Sequence, residues 1–165
     1  MATDTGGTIK EFNGTTTPIQ YSNAVNLGGL TCPYFRIAAA LTSPSFSIMS
    51  AGSTTVNGAP GIVIQVKLNF SSAEDPTGEV TKLNTESYVF SPQTLALIET
   101  TNTLWSDDGR MLPITHEVVF SDFRVINGIF VPFAILERIG GQVTWTLQMN
   151  SLTFNTGLTS DIFQL

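Results

Sequence analysis

Apolar and polar residues alternate with period two along much of the chain, and turn residues interrupt the alternation at intervals. In one run Ile62, Ile64, Val66, Leu68 and Phe70 fall on one side, with Gln65, Lys67 and Asn69 on the other. In another, Val143, Trp145, Leu147 and Met149 alternate with Thr144, Thr146, Gln148 and Asn150. Successive side chains of a strand point to opposite faces, so each run predicts a strand with one dry and one wet side. The apolar phase then slips by one to Leu152 and Phe154. A slip inside a strand would turn the dry side outward, which predicts a β-bulge near Asn150-Ser151. Phe130, Val131, Phe133, Ile135 and Leu136 put apolar groups on both sides, as a strand covered on each face does.

Turn chemistry divides these runs. Asn13-Gly14, Asn57-Gly58 and Asn127-Gly128 each lie between strand-forming stretches, and a type I′ hairpin needs positive φ at both central residues, which Asn and Gly tolerate best. Asp108-Gly109 and Gly140-Gly141 predict two more hairpins, Ser91-Pro92-Gln93 opens a further turn, and Ala73 to Gly78 reads as a longer loop. The result is a meander of strands roughly 6–12 residues long. One helix is predicted from about Pro33 to Leu41, because Tyr34, Ile37, Ala38 and Leu41 repeat at i, i+3, i+4 and i+7 and Pro44 ends the run. Arg36 lies off that stripe. A helix this short must dock on the sheet to persist. The expected fold is mainly β: a curved antiparallel sheet, or incomplete β-barrel (half-barrel), with one short helix packed on it.

Composition narrows the function. The 165 residues are 42% hydrophobic and 12% charged, with seven Lys and Arg and a net charge of −6. That balance is opposite to the one that keeps chains disordered. Nucleic acid and anionic membrane surfaces both require a basic stripe, and here the cations are scattered singly; no nucleic-acid partner is expected. No apolar run approaches the ~18 residues of a membrane-spanning helix. The lone Cys32 allows no internal disulfide and reads as a small buried hydrophobe. Met1-Ala2 opens into a polar segment without a signal peptide, which fits a cytoplasmic protein or one cut after its export signal; the low charge and abundant Thr, Ser and Asn lean toward export.

Candidate chemistry is sparse. His116, the single histidine, heads the alternation His116, Val118, Phe120 and reads as a strand residue; no Gly-x-Ser-x-Gly elbow accompanies it. Asp107-Asp108-Gly109-Arg110 starts like a calcium loop but lacks the spacing to a bidentate Glu. Glu74-Asp75 reads as part of a solvated loop. Asn13-Gly14-Thr15 and Asn69-Phe70-Ser71 match the glycosylation tripeptide, a frequent pattern in a Thr- and Ser-rich chain. No catalytic residue, metal site or cofactor is expected. Eleven Phe, two Trp and three Tyr remain, as ordinary core or as the lining of an apolar cavity between sheet and helix.

Three stretches bring a resemblance. Glu117 to Phe133, reading EVVFSDFRVINGIFVPF, resembles a late strand–turn–strand of periplasmic proteins related to the lipoprotein carrier LolA. Tyr88-Val89-Phe90-Ser91-Pro92-Gln93-Thr94-Leu95 is similar to an earlier hairpin of that family, and Leu152 to Leu158 with Asp161-Ile162-Phe163 is similar to its closing segment. The pieces come in the family's order over roughly residues 55–165. The resemblance implies an incomplete barrel sheltering acyl chains, with no catalytic residues. The family's opening helix and first hairpins have no evident counterpart before Thr8, so the resemblance leads to the expectation of either the carboxy-terminal part of a longer exported protein or a trimmed relative. Residues 1–7 are expected to be a disordered arm or an addition to the natural chain, and residues 8–165 one LolA-like β domain.

The leading functional expectation is a periplasmic or secreted, non-catalytic domain for an apolar ligand, an acyl chain or a lipid-modified polypeptide. Its ligand-binding residues would be Ile64, Val66, Leu68, Phe133, Trp145 and Leu147. The alternative is an interaction module with a filled core that binds a protein partner.

Overall fold

The computed structural model describes residues 2–3, 6–10, 13–19, 33–105, 113–154 and 156–157. Strands β1 (Ala2–Thr3), β2 (Gly6–Lys10) and β3 (Thr16–Ile19) form a small antiparallel sheet in sequence order, so strand structure lies on both sides of Thr8. Helix α1 (Tyr34–Thr42) follows. The second sheet has seven strands: β4 (Phe46–Val56), β5 (Ala59–Leu68), β6 (Thr85–Phe90), β7 (Leu97–Trp105), β8 (Pro113–Ile126), β9 (Ile129–Ile139) and β10 (Gln142–Gln148). Every neighbouring pair is antiparallel and the spatial order is the sequence order. The sheet is curved and does not close, so β4 and β10 are its edges.

The hairpins follow from backbone chemistry. Asn57-Gly58 takes φ of 49° and 85°, and Asn127-Gly128 takes 51° and 82°, the paired positive angles of a type I′ turn. Gly140-Gly141, at 57° and 80°, joins β9 to β10 in the same way. Asp108-Gly109, the candidate calcium loop and Cys32 lie outside the described residues.

Cross-strand partners share a face, so the register assigns two sides. On the side that receives α1, Ala40 meets Val66, Tyr88, Leu97, Val118 and Phe120, with Ile37, Phe46, Phe90, Phe123 and Ile135 packed against them. On the other side Val56, Val89 and Val119 form a smaller cluster with Val63 and Ile98. Gly61 lets the strands close there: a Cβ on it would lie 2.3 Å from the Val89 Cγ1.

Four local expectations are corrected. The docked face of α1 is only in part the Tyr34–Leu41 stripe: Ile37 packs on the core, but Tyr34 is 54% and Leu41 71% exposed, whereas Ala40 is buried and Arg36 turns inward. The bulge does not fall at Asn150-Ser151. Strand β10 ends at Gln148, and its register shifts between Val143, opposite Arg138, and Trp145, opposite Glu137. Val143 and Trp145 therefore face opposite sides. The helix is not alone, because α2 (Glu79–Leu83) lies between β5 and β6. Finally, Asp75 is buried instead of solvated. Its Oδ1 accepts the Val80 N–H at 3.1 Å and its Oδ2 accepts the Thr81 N–H at 2.8 Å and the Thr81 hydroxyl at 2.6 Å, satisfying amides that a helix start leaves without partners.

These bonds, the Thr81 hydroxyl foremost, hold the Asp75 carboxyl below its usual pKa. A depressed folded-state pKa contributes stability that is present above the unfolded value and lost as pH falls through the folded one. Thermal melts of the protein and of Asp75→Asn should therefore differ most near neutral pH and converge as pH falls below about 4. A difference that stays constant down to pH ~2 would refute this role.

Candidate binding face

The six sequence-predicted residues divide into two groups on the helix-bearing side. On β5, Ile64 pairs with Tyr88 and Val66 with Glu86, and Leu68 follows in the same alternation. Across the sheet, Trp145 pairs with Glu137 and Leu147 with Ile135, and Phe133 lies two residues from Ile135. The chain Tyr88–Thr100–Val118–Glu137 links both groups to one face, with β6, β7 and β8 between them. Val66 and Phe133 are buried, Ile64, Leu68 and Trp145 half-buried, and Leu147 is 44% exposed. Ile48, the cross-strand partner of Val66, and Ile62, the partner of Phe90, are exposed on the same side.

An ion pair that the sequence did not announce seats α1. Arg36 Nε lies 3.1 Å from Glu86 Oε2, with side chains 16% and 5% exposed; the contact is one of charge, out of hydrogen-bond alignment. Arg36 Nη2 donates to the Asn84 carbonyl at 3.0 Å, and the guanidinium stands 5.7 Å from the Phe46 ring centre, within cation–π range. The Tyr88 hydroxyl donates to Glu86. Burial, with the Glu86 charge second, pushes the Tyr88 phenol far above its usual range.

Two polar groups bound the β8–β10 part of this face. Toward one end His116 Nε2 meets Glu137 Oε1 at 2.8 Å, and the Thr144 hydroxyl donates to the other Glu137 oxygen. Toward the other, Arg124 grips Asp122 through Nε at 3.2 Å and Nη2 at 2.6 Å, and Gln148 Nε2 donates to Asp122 at 3.2 Å. These contacts hold the Asp122 carboxyl below its usual pKa, the Arg124 bonds first. The Arg124 guanidinium lies 4.3 Å over the Phe133 ring. Asp122 itself has a φ of 51° in mid-strand, a conformation Asp tolerates better than most residues. Along β8, His116 and Asp122 are about 20 Å apart.

Beside its small valine cluster, the opposite face carries a polar hollow. Gln65, Lys82, Thr85, Ser87, Thr101, Asn102, Thr103 and Thr115 line a cavity of about 320 Å³, so this space is not the apolar one that the aromatic inventory suggested. Burial, followed by the charge of Glu117, raises the Glu99 carboxyl pKa, and Arg138 opposes the rise. Among the described residues no three His, Cys, Asp or Glu converge as a metal site, and no helix is long and apolar enough to cross a membrane.

These elements define an open, curved antiparallel meander with a short helix on one face. No protein-family model and no curated protein matches the chain. Similar solved structures include a Vibrio parahaemolyticus domain described as outer membrane lipoprotein-sorting, with a TM-score of 0.48, 11% identity and 72% of this chain covered. Another is a DUF1329 family protein from Desulfovibrio piger, with a TM-score of 0.49, 15% identity and 73% covered. This chain spans 46% and 45% of their lengths.

The seat of α1 yields a mutational expectation. Glu86→Ala leaves the inward-turned Arg36 without its carboxylate and should cost about 3–5 kcal/mol in a denaturant melt. The double change Arg36→Met with Glu86→Leu should recover most of that loss, because an apolar pair removes both desolvation costs. Additive losses would show that the two side chains do not act together.

Proposed function

We propose that the protein is an exported, periplasmic or secreted, non-catalytic domain that binds an apolar ligand on its helix-bearing face. The ligand is an acyl chain, free or carried by a lipid-modified polypeptide, and the binding residues are Ile64, Val66, Leu68, Phe133, Trp145 and Leu147. The supporting observation is an apolar face wider than its cover. Seven strands span about 29 Å, whereas a helix of nine residues is about 13 Å long. Ile48, Ile62 and Leu147 remain 43%, 41% and 44% exposed on that side. Burying a dozen methylenes there at about 0.8 kcal/mol each would supply the affinity without any acid–base chemistry. The open edges of β4 and β10, unpaired among the described residues, favour a second reading in which a protein partner adds a strand.

Titration with a fluorescent fatty acid separates the two. The first reading expects saturable binding that weakens about tenfold in Leu147→Glu. Because Leu147 is 44% exposed on an edge strand, that change should alter stability by less than about 1 kcal/mol. No saturable binding over a range of chain lengths would sink the acyl reading in favour of the partner strand.

A further inference from the structure

The chain has only seven Lys and Arg against a net charge of −6, so the placement of its cations is informative. Among those whose side chains are described, Arg36 is held by Glu86 and Arg124 by Asp122, and Arg138 stands opposite Glu117. The Lys67 and Lys82 ammonium groups have no partner among the described residues. Both border the polar hollow on the side away from α1. Lys82, on α2, lines it, and Lys67 pairs across β5 and β6 with Thr85, another lining residue; such paired side chains start about 4.5–5.5 Å apart. The floor toward β8 is made of short hydroxyls: Ser87 pairs with Thr101, and Thr103 with Thr115. Thr85 spends its proton on the Thr81 carbonyl at 2.7 Å, whereas Ser87 Oγ accepts Gln65 Nε2 at 3.5 Å and keeps its own proton to donate. The Thr101, Thr103 and Thr115 hydroxyls have no partner among the described residues. The hollow thus has two unlike ends. Two free ammonium groups and the Ser87 hydroxyl mark one; free hydroxyls mark the other, where the Glu117 carboxylate stands opposite Thr101 on the same face.

We propose that this hollow binds a small polyol phosphate, with the phosphate at Lys67 and Lys82 and the polyol on the Thr101, Thr103 and Thr115 floor. Lysine holds a phosphate as a point charge, with no need of a bidentate fork. Glu117 sets the direction of binding: its charge repels a phosphate from the threonine end, whereas a polyol hydroxyl can donate there. A volume of about 320 Å³ stands at the lower end of ligand sites, which fits a small molecule. The site lies on the face opposite the proposed acyl site and does not depend on it.

The test is calorimetric titration with glycerol 3-phosphate, inorganic phosphate and glycerol at about pH 7.5, where a phosphate monoester is mostly dianionic. An ionic strength of about 0.02 M leaves the lysine charges unscreened. Glycerol 3-phosphate should bind saturably and about tenfold more tightly than inorganic phosphate, the gain expected of one or two hydrogen bonds. Glycerol alone should not bind. Lys67→Met/Lys82→Met should weaken both phosphates at least about tenfold and leave the thermal melt unchanged, since neither ammonium has a partner to lose. Thr101→Val/Thr115→Val should leave inorganic phosphate binding as before and bring glycerol 3-phosphate within about twofold of it. No saturable binding, or binding that survives the lysine changes, overturns the site. Equal affinity for the two phosphates in the unmodified protein overturns the polyol floor, even if the threonine variant does not fold. Attachment to phosphatidic acid vesicles without binding of glycerol 3-phosphate assigns the phosphate to a lipid head and overturns the soluble ligand.

Discussion

Arg36 and Glu86 meet between a helix too short to keep its shape in water and a strand inside a seven-stranded sheet. Withdrawing two such charges from water costs several kcal/mol each and is offset only where the remaining hydrogen-bonding groups find partners. Here the Asn84 carbonyl, the Tyr88 hydroxyl and the Phe46 ring supply partners, while Arg36 Nε is held by charge alone. An arrangement that demands so many coincident partners fixes where the helix sits along β4–β6. From that position Ala40 reaches the Val66–Tyr88–Val118 core, while Leu147, on the β9–β10 flank, is 44% exposed.

The parts of the fold legible in the sequence are those whose cause is local. An Asn-Gly pair carries its own preference for positive φ, so the turns at Asn57 and Asn127 could be read without knowing their surroundings. Alternation likewise put Ile64, Val66 and Leu68 on one side of β5, and the pairing of Trp145 with Glu137 and Leu147 with Ile135 brings that side of β10 to the same face. The features that escaped have distant causes. A charged residue in a short amphipathic helix reads as solvent-facing until its carboxylate, fifty positions later in the chain, is known to lie beneath it. Asp75, next to Glu74 and Pro76, looks like loop until Val80 and Thr81 are seen to need its oxygens. The bulge at Thr144 is invisible for another reason. Sequence alternation continues through it, and only the partner residues on β9 reveal that the strand has changed sides.

That bulge does more than adjust the edge. By giving Val143 and Trp145 opposite sides it swings Thr144 toward Glu137 and aims Trp145 inward beside it. An extra residue in one strand re-aims the side chains that follow, and here it gathers the hydroxyl, the carboxylate and an aromatic side chain at one end of the apolar strip. At the other end, Asp122 holds an uncommon backbone angle while Arg124 lies across Phe133. The strip therefore ends in polar groups on both sides.

The strict sequence order of the large sheet also bears on how it assembles. Every strand after β4 pairs with the strand made just before it, so most additions close a short loop, the α2-bearing connection from β5 to β6 being longer, and lose little chain entropy. Topologies of this kind can grow as a zipper from any formed hairpin, unlike sandwiches whose distant strands must first find one another. During synthesis β4 and β5 can pair as soon as both have emerged, and each later strand meets a waiting edge. The same order exposes every intermediate: until β10 arrives, the growing sheet always ends in an unpaired strand, the form in which β chains are most open to capture by one another.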